Sequence, residues 1–121
     1  MLQSLIATIA GKRKPKNFTE AAALIGIRLE QARQDLARAE SDLTRARTEA
    51  AEQGAAAYLA TGSTESAATD EPALAALVAR VDRVRLALSQ LEAAHSEAIA
   101  AAQQERQKSA IDAVRSLRAE R

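Results

Sequence analysis

The chain has no cysteine and no tryptophan, and its 121 residues include one Phe and one Tyr. Without thiols there is no disulfide framework and no thiolate nucleophile. With two aromatics a thick globular core lacks most of its bulkiest fillers, and single-stranded nucleic acid finds no row of stacking platforms. Pro15, Pro72 and four Gly are the only strong helix breakers, so long uninterrupted helices are open to this sequence. No apolar run is long enough to span a bilayer. A formal net charge of +1 exerts no overall pull toward nucleic acid or membrane. The apolar stretch Leu2 to Ala10 precedes the basic Lys12-Arg13-Lys14, the reverse of the order in a secretory signal. The expectation is a cytoplasmic protein.

What is abundant is alanine, 31 of the 121 residues. It is the strongest helix former, but it buries little surface. From Leu29 to Glu49 the sequence repeats in sevens. Leu29, Leu36 and Leu43 open the repeats, Ala32, Ala39 and Ala46 follow three residues on, and an acid closes each. Apolar residues alternating three and four apart mark a helix that packs along its length against another.

Asn17 followed by Glu20 has the spacing of a capping box, so a long helix is predicted from about Phe18. It runs to about Thr61, where Gly62 can adopt the left-handed conformation that ends a helix. Fraying beyond Gly54 is a further expectation, because an internal Gly weakens a helix. Residues 62–70 are small and polar, a connector. Asp70 can cap a second helix over about 71–118, with Glu71 and Pro72 tolerated in its first turn. Residues 1–16 form a separate arm: a short amphipathic helix carrying Leu2, Leu5, Ile6 and Ile9, then a basic linker.

The fold class is therefore all-α. A long antiparallel two-helix coiled-coil hairpin over residues 17–121 carries the N-terminal arm and is expected to oligomerise into a bundle. In both helices the bulky core residues lie toward the N-terminal half. Folding back with the shortest connector sets large against small, with the numbers of facing residues adding to about 132. Leu36→Asp is expected to unfold such a seam. Beyond Ala102 the apolar row steps sideways to Ile111, Val114 and Leu117, as at a stutter. The arm is predicted to fold onto Val114 and Leu117. Leu24, Ile27, Tyr58, Leu59, Val78, Leu86 and Ile99 are left off the main columns.

Few residues suggest chemistry. Glu92 and His95 have the Glu-x-x-His spacing of helical dimetal sites, and the expected register sets Glu40 opposite Glu92. Two hairpins together would be needed to complete such a site, and a polar residue on a core column more often fixes register. Lys12, Arg13, Lys14 and Lys16 could meet phosphates or an acidic protein, yet the same run serves as a solvated tether. In the hairpin, residues 1–33 and 104–121 share one end, with eleven basic and five acidic residues. That end would be basic and the opposite one acidic. Asp35 with Arg38 and Asp42 with Arg45 read as pairs along one helix.

No catalytic constellation, small-molecule substrate or cofactor is expected. The arm residues Leu2, Leu5, Ile6 and Ile9, with the four basic residues that follow, are the candidate partner-binding set. The expected partner is a second copy or another protein, acting with this chain in assembly or as an adaptor. A dimetal bundle and a weak electrostatic nucleic-acid binder are the alternatives, and a membrane surface has less support because the arm lacks an aromatic anchor.

Overall fold

A computed structural model describes residues 2–63 and 71–119. Within them the chain is helical, with α1 at Leu2–Ala10, α2 at Phe18–Thr61 and α3 at Glu71–Ala119. The expected connector falls outside the described residues from position 64 onward, as does the Asp70 cap. The helix ends that are described follow local chemistry. The Glu20 amide donates to Asn17 Oδ1 at 2.9 Å, which satisfies one of the unpaired N–H groups of the first turn of α2. The Glu20 carboxylate reaches one residue further back than in the usual capping box, accepting from the Lys16 amide at 2.8 Å. At the other end Gly62 has φ +72°, and its amide donates to the Tyr58 carbonyl at 2.7 Å. Gly54 does not interrupt α2, which continues to Thr61.

The chain divides into two units. The first comprises residues 1–31 and 89–121, and the second residues 32–88. Each is built on the two long helices packing against one another.

In the first unit the buried residues of α2 are Ala21, Ile25 and Leu29, and those of α3 are Leu91, Ala94, Ala98 and Ala102. Long aliphatic side chains from α2 thus share a core with three alanines of α3, and small residues let helix axes approach closely. Phe18 meets Glu105 and Gly26 lies against His95, so within this unit the helices run antiparallel. A Cβ built on Gly26 would lie 3.3 Å from His95 Nε2. That contact is tight, but it is with the tip of a half-buried side chain that has two free torsions. Helix propensity should therefore decide the sign. Gly26→Ala is expected to stabilise the protein by up to about 1 kcal/mol, raising Tm by about 2–4 °C. The gain should grow in a His95→Ala background, which a four-variant set of thermal melts would measure.

In the second unit Ala39, Leu43 and Val81 form the buried centre, with Leu36, Leu74, Leu77 and Val78 packed around it. Arg80 pairs with Asp42 at 2.9 Å and Arg85 with Glu40 at 3.0 Å, again in antiparallel order. These pairs are about half exposed and worth at most about 1 kcal/mol each. They fix alignment more than they add stability.

The register differs from the expected one. Paired residue numbers add to 121 and 123 in the first unit and to 122 and 125 in the second, in place of 132. Val81 consequently meets Ala39 and Leu43, where Ala50 to Ala57 were expected. Two forces favour this slide. Burying a Leu or Val is worth about 1.5–3 kcal/mol, and the alanines beyond Leu43 offer less. The slide also sets Arg80 and Arg85 beside acids, whereas the expected register put Glu40 against Glu92. Asp42 thus pairs across helices with Arg80 and not along α2 with Arg45.

Candidate interaction surfaces

The apolar side of α1 is already engaged. Ile6 is buried, and Leu2, Leu5 and Ile9 are half-buried. One open cleft of about 440 Å³ runs between Ile6, Ala7 and Ala10 of α1 and Phe18, Ala21 and Glu105. A second, of about 480 Å³, lies between Leu2, Leu5 and Thr8 and the stretch of α3 around Gln90, Ala94 and Glu97. The arm therefore sits along the middle of α3 and the start of α2, and not on Val114 and Leu117 as predicted. The reason is geometric. Gly11, with φ +59°, closes α1 by donating to the Ala7 carbonyl at 3.1 Å, and five residues then lead to the α2 cap at Asn17. A linker this short returns α1 alongside the α2 entry. Its basic residues Lys12, Arg13, Lys14 and Lys16 are all exposed.

Glu105 is the residue whose role the sequence concealed. Its position on the apolar column reads as a break in register. Its carboxylate instead accepts a hydrogen bond from the Phe18 amide at 3.1 Å, in a partly buried setting. Two carboxylates, Glu20 and Glu105, thus serve the N-terminal turn of α2, where unpaired N–H groups and the helix dipole favour negative charge. Glu105→Ala is expected to cost about 1 kcal/mol and to increase hydrogen exchange at the Phe18 amide. Glu105→Gln, which keeps an acceptor, should recover much of the loss. The sequence signal for this contact was an acid on a core column level with a helix start.

The residues of the metal hypothesis each have other neighbours. Glu40 bonds Arg85 in the second unit, while in the first Glu92 is exposed and His95 lies against Gly26. Among the described residues no group of three or more His, Asp or Glu side chains converges as metal ligands. A third cleft, of about 280 Å³, exposes His95 with Ala22, Ile99 and Arg106. It offers one imidazole and one guanidinium, with no carboxylate on its walls. Among the described residues no helix is long and apolar enough to cross a membrane.

The class of protein these observations define is all-helical, with two long helices packed on each other and a short one laid against them. No protein-family model matches the sequence, and no curated protein or solved structure matches it.

Proposed function

We propose that this chain is a non-enzymatic coiled-coil assembly or adaptor protein, acting through helix-on-helix contacts with copies of itself or with another protein. One observation carries the reading: large aliphatic side chains remain exposed along helices that already pack pairwise. Leu59 is 85% exposed, Ile27 71% and Leu86 62%. Scattered apolar side chains on a surface need no explanation, but a series of them on long helices is the usual raw material of further helix packing. The seven-residue repeat from Leu29 supports coiled-coil packing.

The test is sedimentation equilibrium from about 1 to 100 μM, a span that brackets ordinary homodimer affinities. The expected result is a mass of two or more 12.9 kDa chains, with Ile27→Ser and Leu86→Ser shifting it toward monomer. A monomer across the whole range would remove self-assembly. Retention of iron, manganese or zinc by the purified protein, lost in His95→Ala, would move the reading to the dimetal bundle.

A further inference from the structure

The final turns of α3 are unlike the rest of the helix. From Arg106 to Ala119 every described residue is exposed. Yet Ile111, Val114 and Leu117 lie on one side of this segment, and they are 53%, 49% and 64% exposed. At about 100° per residue the three fall within a band about 120° wide, centred on Val114, with Ala110 inside it. Glu105, nine residues before Val114, projects from the opposite side of the helix. Its bond to the Phe18 amide shows that this opposite side is the one turned toward α2. The band therefore faces away from α2. The apolar residues of α1 are engaged elsewhere, against Phe18 and Ala21 and beside Gln90 and Ala94.

The charges bordering the band have one sign. Arg106 and Arg115 lie on its two sides, Arg118 toward its Arg115 edge about 40° from Val114, and Lys108 a little beyond Arg115. Asp112 falls on the far side, with Glu105. Any occupant of the band thus meets aliphatic side chains at the centre and guanidinium or ammonium groups at the rim. A second copy of the same segment would set base against base. A membrane surface would receive three aliphatic side chains with no aromatic anchor, on a band as narrow as a coiled-coil seam. An amphipathic helix with an aliphatic seam and acidic flanks satisfies both the seam and the rim.

We infer that the Ile111–Val114–Leu117 face of α3 is a docking site for an acidic amphipathic helix of a partner protein. The inference rests on the helix-on-helix reading above and names the partner chemistry for one surface. Charge at the rim sets orientation and encounter rate, while the aliphatic centre supplies most of the hold.

The probe is a labelled peptide of three heptads with Leu at a and d and Glu at e and g, titrated with the full chain and followed by fluorescence anisotropy. Saturable binding is expected. It should weaken about tenfold or more in Val114→Ser/Leu117→Ser, a loss typical of removing a central contact. It should be absent for the same peptide with Lys in place of Glu. Lys108→Glu/Arg115→Glu, which leaves Arg106 and Arg118 and a rim of no net charge, should abolish the preference between the two peptides. All four positions are exposed, so melting temperatures should stay unchanged and the losses report docking. Equal binding of both peptides by the parent chain, or binding indifferent to Val114→Ser/Leu117→Ser, overturns the proposal. Binding to phosphatidylserine vesicles without binding to the acidic peptide would give the face to a membrane. A fall in self-association in Val114→Ser/Leu117→Ser would give it to a second copy. Self-assembly without peptide binding would sink this inference alone. Peptide binding by a monomeric chain would leave it standing and remove only self-assembly.

Discussion

Leu43→Asp is expected to abolish the packing of the second unit at room temperature. Leu43 is 7% exposed and shares its cluster with Ala39 and Val81. Losing the leucine side chain alone costs about 2–5 kcal/mol. The carboxylate that replaces it must either stay ionised among aliphatic groups or take up a proton, and each adds to the loss. Small domains are stable by about 5–15 kcal/mol in total, and a thin alanine-rich seam belongs near the lower end. Far-UV circular dichroism should show a large loss of helix and, in urea, a midpoint moved to much lower concentration. Leu36→Asp should do less, because Leu36 sits at the margin of the cluster and is only half-buried. Its carboxylate can turn to water. If Leu43→Asp melts within a few degrees of the parent, the cluster does not hold α2 to α3.

The periodicity of Leu29, Ala32, Leu36, Ala39 and Leu43 identified the inward side of α2, and none of the five is exposed. Asn17, Glu20 and Gly62 marked both ends of that helix because caps are local chemistry, readable without knowing the fold. Register was not local. Choosing the shortest connector placed Leu43 near residue 89, but the helices align to gather Leu36, Leu43, Leu74, Leu77 and Val81. The charge pattern holds a clue, since Glu40 and Asp42 on α2 meet Arg85 and Arg80 on α3 in the observed alignment, whereas the expected one sets Glu40 against Glu92. The site of α1 escapes the sequence for a related reason. The sideways step of the apolar row at Val114 and Leu117 implies a different neighbour, and α1 is an apolar segment of the same chain that could supply it. The linker, closed by Gly11 and tied to the α2 cap, directs α1 to a different stretch of α3.

The alternation of large and small residues in the seam leads to a prediction of opposite signs at two alanines of α2. Ala39 is fully buried, within a cluster of leucines and valines. Ala39→Leu adds three carbons where neighbouring side chains leave no room, so the helices must separate or their rotamers distort. The expected cost is about 1–3 kcal/mol, despite the greater hydrophobicity of the new side chain. Ala50 lies on the same column but is only half-buried. Ala50→Leu can extend over its neighbours and bury new aliphatic area, with an expected gain of about 0.5–1 kcal/mol, a fraction of full Leu burial. Urea melts of the two variants should therefore move in opposite directions. Had the alignment been the one the shortest connector implies, Ala50 would face Val81 or its neighbours in the tight part of the seam, and its enlargement would destabilise. The sign at Ala50 thus reads out the alignment of α2 with α3, independently of any change in helix content.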